Sequence, residues 1–336
     1  MGRLLNHCRW SASREGTFNE CRKKYWYTYY GAWEGWPKTP YDTRTAVDPL
    51  ATYLYRLKNI QSTAIFVGST VHKAIEWALQ QTQKTQMLPP LQSLKTQITK
   101  LIQNGSEESK NKAWQKHPKH HVNLLEEYYQ LSLPSSEELV NRALKCVNNW
   151  YTSPCVQNLI LHHNALWMGI ETPHTFSIEP GIEAIVVFDF YLKWKDRMII
   201  FDWKTGKESP KIEFQLYTYA LAASTLFHVP YSSLILSPFY IAEGPTAYKK
   251  YGQNPPLIQE QLNETKQAII TSARQMLAVH PQKDAQGLIP TPEPALFAYT
   301  TERYLCQRCP FQEICQKADY LEKSCVELKE LALQML

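Results

Sequence analysis

The chain has 336 residues, 44% of them apolar, and a net charge of +5 from 36 basic and 31 acidic residues. This fits one elaborated domain, or a core with a large insert, around a real hydrophobic core, and the mild basic excess permits nucleic-acid binding without arguing for it. No apolar run is long enough to cross a bilayer, and Asn6, His7 and Arg9 interrupt any signal segment, so the sequence predicts an intracellular protein with no membrane association, whose eight cysteines need an explanation beyond structural disulfides.

Residues 1–36 are basic and aromatic: Arg3, Arg9, Arg14, Arg22, Lys23 and Lys24 outnumber Glu15 and Glu20. Pro37, Pro40 and Pro49 mark a loop, and a short helix follows over Ala51 to Asn59. Gly68-Ser69-Thr70 reads as the start of a helix with Val71, Ile75, Ala78 and Leu79 at helical spacing. Residues 84–170 read as mostly helical, with breaks at Pro89-Pro90, Asn104-Gly105-Ser106, Pro118 and Pro134, and with a polar mobile loop from Asn104 to Lys112. Gly181 to Trp194 and Arg197 to Lys204 read as strands joined by a Lys195-Asp196 turn. A helix over Lys211 to Phe227, a strand over Ser232 to Ala242 and a helix over Ile258 to Val279 follow, before a cysteine-rich end with a closing helix. Helices around a short mixed sheet make an α/β core.

The chemistry concentrates in the hairpin. Asp189 lies in its first strand, and Asp202 and Lys204 end the second. Residues two apart on a strand share a face, so Asp202 and Lys204 lie together, and the hairpin can bring Asp189 to the same edge. Converging carboxylates repel unless a cation joins them, and Mg²⁺ suits such a pair because it also accepts waters and phosphate oxygens. A lysine beside it can orient an attacking water or stabilise charge on phosphorus. Gln215 and Tyr219, four apart on the next helix, share a face and can hydrogen-bond these groups.

The series Asp189, Asp202-Trp203-Lys204-Thr205-Gly206 and Gln215-Leu216-Tyr217-Thr218-Tyr219-Ala220, preceded by Gly68-Ser69-Thr70-Val71-His72, resembles the nuclease module of the RecB, AddB and Cas4 families within the PD-(D/E)XK superfamily. The resemblance implies a restriction-endonuclease-like fold and an Mg²⁺- or Mn²⁺-dependent deoxyribonuclease. His72, Asp189, Asp202 and the Trp203 carbonyl would bind the metal, with Lys204 as the catalytic lysine and Gln215 and Tyr219 in support. The family usually has a small residue two places before the first Asp, where this chain has Val187.

Cys306, Cys309 and Cys315 are spaced C-x₂-C-x₅-C. Three thiolates need a fourth to hold Zn²⁺ or an iron–sulfur cluster, and the spacing does not choose between them. Cys21 is the leading fourth ligand, Cys8 could replace it, and Cys325 could serve as a late one. The iron–sulfur members of the same nuclease group have one early and three late cysteines, which implies a [4Fe–4S] cluster tying the two ends of this chain together. Cys146 and Cys155 read as apolar fillers.

The expected organisation is an N-terminal segment over 1–60, the His-motif helix and a large helical insert over 61–170, the nuclease core over 171–290 and the cysteine segment over 291–336. Tyr25, Trp26, Tyr29 and Tyr30 read as helix-borne core, with Arg22, Lys23 and Lys24 as weak candidates for phosphate contact. His117, His120 and His121 read as a solvated loop. The expected function is cleavage of single-stranded DNA or DNA ends, as an exonuclease rather than an endonuclease. The alternative is a non-cleaving iron–sulfur module that binds DNA or a partner. No G-x-x-x-x-G-K-[ST] element occurs, so any unwinding would come from a helicase or another DNA-processing partner.

Overall fold

Residues 4–39, 47–209, 211–253, 256–317, 330 and 332–333 are described by the computed structural model. The helices are α1 (Ala12–Glu20), α2 (Arg22–Trp26), α3 (Pro49–Lys58), α4 (Thr63–Thr85), α5 (Leu91–Lys110) and α6 (Leu125–Tyr128). They continue with α7 (Ser136–Tyr151), α8 (Lys211–Phe227), α9 (Gln259–Ala278), α10 (Arg303–Cys306) and α11 (Gln312–Lys317). The strands are β1 (Leu166–Glu179), β2 (Ile182–Trp194), β3 (Arg197–Lys204) and β4 (Leu234–Tyr240). Two compact units divide the chain: Met1–Ser62, Gly105–Leu133 and Ser272–Leu336 form one, and Thr63–Asn104 with Pro134–Thr271 forms the other.

In the second unit the sheet order is β1-β2-β3-β4, antiparallel except for the parallel β3–β4 pair. A parallel pair needs a crossover, and α8 supplies it. Alternation along β3 then decides what each face carries. Phe201 and Trp203 stack at 5.5 Å, and Trp203 meets Trp150 of α7 at 6.3 Å. Asp202 and Lys204 are out of phase with them and turn toward α8, whose Tyr219 also meets Phe188 at 5.1 Å. The mixed sheet flanked by helices is the expected α/β architecture.

Three local expectations are corrected. The helical reading of residues 84–170 ends too late, because β1 starts at Leu166. β1 pairs only with β2 and so lies at the sheet edge. An edge strand tolerates Pro173, and solvent-facing Leu166 and Met168 hide the usual alternation. The loop expected at Asn104–Lys112 is helical as far as Lys110. Buried Leu94, Ile98, Ile102, Gly105 and Ser109 continue one stripe through the polar sequence. Finally, α4 starts at Thr63, which puts Gly68 inside the helix rather than at its start.

The first unit has an aromatic core. After α2 the chain makes a π-helical turn over Tyr27–Gly31, and Tyr25, Trp26, Tyr27 and Tyr30 are all buried. Early and late segments are joined by direct hydrogen bonds: Trp10 Nε1 donates to Ser272 Oγ at 2.7 Å, Trp26 Nε1 to the Pro292 carbonyl at 2.7 Å, and the Lys23 N–H to the Ala298 carbonyl at 3.0 Å. The closing helix expected after the cysteines lies mostly outside the described residues, as does Cys325.

Candidate active site

β2 and β3 pair in register from Trp194↔Arg197 to Phe190↔Phe201, where the ladder stops. The N–H of Trp203 instead reaches the Asp189 carboxylate at 2.6 Å. A side chain has replaced a backbone acceptor, so the strands part where Asp189 and Asp202 sit. On the other side, pairing of β1 with β2 skips from Ile170↔Phe190 to Thr172↔Phe188. Glu171, in the gap, has φ 45°. A non-glycine residue in this left-handed region costs about 1–3 kcal/mol and is held there by its surroundings. Here it carries the Glu171 carboxylate to His72.

His72 comes from α4. A Cβ on Gly68 would lie 3.0 Å from Thr205 Oγ1, so glycine lets the helix run close to the end of β3. His72 Nε2 donates to the Trp203 carbonyl at 3.0 Å, while Nδ1 faces Glu171 Oε1 at 3.2 Å and Asp189 Oδ2 at 3.7 Å. Burial works against its charge, but the Glu171 hydrogen bond and the negative charge of Asp189, Glu171 and Asp202 win and raise its pKa to about 9. Burial first, and then Asp202, pushes Asp189 up to about 8, against the pull of His72.

Lys204 Nζ lies 2.7 Å from Asp202 Oδ2 and donates to Gln215 Oε1 at 2.9 Å. An ammonium only donates, which fixes the orientation of the Gln215 amide. Gln215 Nε2 is left to donate to Asp202 Oδ1 at 3.0 Å and to the Tyr219 hydroxyl at 2.7 Å. Tyr219 in turn donates to Asp202 Oδ1 at 3.3 Å. Asp202, Lys204, Gln215 and Tyr219 therefore form one closed network.

The donor set fits a hard divalent cation. Asp189 is 7% exposed and Asp202 2%, and two adjacent buried carboxylates need positive charge. Asp202 Oδ2 has no hydrogen bond of good geometry despite the nearby ammonium. His72, Glu171 and Asp189 bring ligand atoms within 4.8 Å of one another. Oxygen ligands suit Mg²⁺, and a single imidazole also admits Mn²⁺. The family model of the PD-(D/E)XK nuclease superfamily matches residues 9–316. The chain belongs to that superfamily. Its members are metal-dependent nucleases, so divalent-metal chemistry and a nucleic-acid substrate follow from membership. A comparison with curated proteins found no match.

The structure of this PD-(D/E)XK protein thus brings together every residue that the sequence singled out for the carboxylate–lysine site. Glu171 was missed, because neither its spacing nor its neighbours signal a left-handed residue inside a strand. Val187, which departs from the family pattern, is exposed on β2.

In the other unit of this PD-(D/E)XK protein, Cys21, Cys306, Cys309 and Cys315 line one cavity together with Tyr27, Tyr299 and Leu305. Backbone N–H groups of Lys24 and Phe311 donate to Cys21 Sγ and Cys309 Sγ, both at 3.4 Å, and Cys315 Sγ lies 3.8 Å from the Tyr27 hydroxyl. Burial pushes Cys309 up to about 11 and Cys315 up to about 12, so without a metal these sulfurs stay protonated. Cys8 lies 4.0 Å from the Tyr25 hydroxyl and does not line the cavity. Cys146 and Cys155 are buried free thiols, raised by burial to about 11 and about 12.

One basic candidate is corrected. Lys23 is 1% exposed and donates to the Pro294 carbonyl, because α2 turns it inward with the aromatics; it cannot reach a phosphate. Lys24 pairs with Glu20 at 2.9 Å, and Arg22 lies over the Phe18 ring.

Proposed function

We propose that this chain is a deoxyribonuclease of the RecB, AddB and Cas4 type, cutting single-stranded DNA or DNA ends, as an exonuclease, with Mg²⁺ or Mn²⁺. His72, Asp189, Asp202 and the Trp203 carbonyl would hold the cation. When bound, it would lower the pKa of a water and offset charge on the scissile phosphate. The observation that carries this reading is the placement of Lys204. Lys204 Nζ donates to Gln215 and lies 2.7 Å from Asp202 Oδ2, which leaves its ammonium with N–H capacity to meet a phosphate oxygen or an attacking water. Gln215 and Tyr219 act as positioning residues, holding Asp202 and Lys204 in register. Glu171 positions His72: accepting from Nδ1 leaves Nε2 as the ligand nitrogen once its proton is released, as carboxylates commonly do behind metal-bound histidines.

We further propose that Cys21, Cys306, Cys309 and Cys315 hold a [4Fe–4S] cluster. Four cysteines from both ends of the chain line one cavity, and four thiolates are the ligand set of such a cluster as well as of zinc. DNA is the expected partner, with a helicase or other DNA-processing protein supplying any unwinding.

The test is cleavage of end-labelled single- and double-stranded DNA by protein purified without oxygen, with Mg²⁺ or Mn²⁺, beside Lys204→Ala. Metal-dependent release of label by the wild type alone supports the reading. Cleavage equal in both proteins, or binding without cleavage by iron-replete wild type, refutes it. Iron and acid-labile sulfide content tests the cluster separately.

A further inference from the structure

The first unit contains a cavity of about 660 Å³, a volume in the range of ligand sites. It lies between the end of α5, the turn over Ala113–Gln115 and α6, with Glu313 of α11 in its wall. None of these residues belongs to the carboxylate–lysine site or to the cysteine cavity.

Three features of its lining point to one ligand chemistry. Trp114, Tyr128 and Tyr129 form an aromatic wall, with ring centroids 5.6 Å apart for Trp114–Tyr128 and 4.8 Å for Tyr128–Tyr129. The two tyrosines are held in place, because Tyr128 donates to Glu313 Oε2 at 2.9 Å and Tyr129 to the Pro310 carbonyl at 2.8 Å. Rings fixed in advance lose little entropy when something stacks on them.

The second feature is Asn123. It is 2% exposed and lines the cavity, yet its amide nitrogen is buried without any partner. A buried donor left unpaired is costly, and an acceptor entering the cavity, met by a turn of the amide toward it, would remove that cost. The third is charge. Lys110 and Lys112 line the cavity and are exposed. Glu127 lines it too, and its carboxylate suits an exocyclic amino group rather than a phosphate.

We infer that this cavity binds a nucleotide of single-stranded DNA, with the base against the tyrosines and the Asn123 amide and the flanking phosphates on Lys110 and Lys112. Stacking tolerates any base, and lysines track the backbone. Duplex DNA keeps its bases stacked inward and cannot fill the cavity. The inference rests on the reading of this chain as a nuclease acting on DNA.

The test uses the full chain carrying Lys204→Ala, without divalent metal, and reads fluorescence anisotropy of a short labelled single strand and of the matching duplex. The single strand should bind more tightly. Lys110→Ala with Lys112→Ala should lower the slope of log affinity against log salt by about 1.4, two phosphate contacts at about 0.7 each on a single strand. Asn123→Leu should weaken binding about five- to tenfold without lowering the thermal midpoint of the unbound protein, because no protein hydrogen bond to the amide nitrogen is lost. An unchanged salt slope in the double lysine variant, with the strand still bound, overturns the inference and leaves the nuclease reading standing. So does a lowered midpoint in Asn123→Leu, which would make the amide structural. If the wild type neither binds nor cuts DNA in any form, the nuclease reading fails first.

Discussion

The two units concentrate their unusual chemistry in opposite ways. The carboxylate–lysine site draws most of its residues from one hairpin and the next helix, Asp189 to Tyr219, and ties its charged groups through a backbone N–H and the Gln215 amide. The cysteine cavity is lined by Cys21 together with Cys306, Cys309 and Cys315, so a centre held there would close most of the chain into a loop, and burial keeps Cys309 and Cys315 protonated in its absence. Loss of a charged group in the first should remove chemistry. Loss of a sulfur in the second should remove stability. The lesson is that a buried charge network and a long-range link can occur in one chain and answer to different measurements.

The largest expected break comes from Lys204→Ala. Cleavage should fall by about 10³-fold, the scale seen when one stabilising group is removed from a reacting centre, while circular dichroism and the melting transition stay close to wild type. A melting transition that collapses with the activity would show that the network serves the fold, and would erase the contrast. Cys21→Ser should do the reverse. By analogy with loss of a long-range cross-link it should destabilise the protein by roughly 2–4 kcal/mol, read by urea unfolding, with any cleavage by the remaining folded protein still dependent on Lys204.

A smaller effect is expected at the residue behind His72. Glu171→Gln should weaken Mn²⁺ binding by about 10- to 100-fold, the usual cost of disturbing a carboxylate behind a metal-bound histidine. Titration calorimetry on the Lys204→Ala protein checks this without any activity. Unchanged Mn²⁺ affinity would reduce Glu171 to a structural residue.

The smallest expected effects come from pH, and they run in opposite directions in the two units. His72, at about 9, and Asp189, at about 8, are both raised above their ordinary values. Each therefore binds its proton more tightly in the folded state, and the stability this gives the metal-free unit fades as pH rises toward those values. His280, beside the Tyr30 hydroxyl at 3.1 Å, is lowered to about 4, chiefly by burial and then by Arg14 and His7. Its folded form resists protonation, so it costs stability as pH falls from about 6.5 toward 4. Hydrogen exchange, corrected for intrinsic rates, should show β2–β3 losing protection on the alkaline side and recovering it with Mn²⁺. The segment around Tyr30 should lose protection on the acid side, and His280→Gln should remove that loss. The same pH response in both units would contradict the assignments.

Much of the site was legible because its signals are local. The runs rich in Ile, Val and Phe over 181–204, Lys195-Asp196 at the turn and the helical stretch from Lys211 to Phe227 each concern neighbours in the chain, and the strands and helix fall close to those limits. The edge strand β1 was not legible, because half-exposed residues and Pro173 blur its alternation. α5 was misread at Asn104-Gly105-Ser106 because Gly105, a residue that usually breaks helices, is here the one that fits a buried stripe. Lys23 was misjudged because its charge suggested solvent, while its place on a helix of buried aromatics turned it inward.

By itself the sequence determined which residue types meet: the order of His72, Asp189, Asp202, Lys204 and Gln215 and the spacing of the late cysteines are properties of the chain, set by periods of two and near four residues. Only the tertiary structure decided what brings distant groups to the same place. The splayed strands that give Asp189 a backbone N–H, the left-handed Glu171 behind His72, and the cavity shared by an early and three late cysteines depend on packing between segments far apart in sequence, and packing of that kind leaves no periodic trace for a linear reading to find.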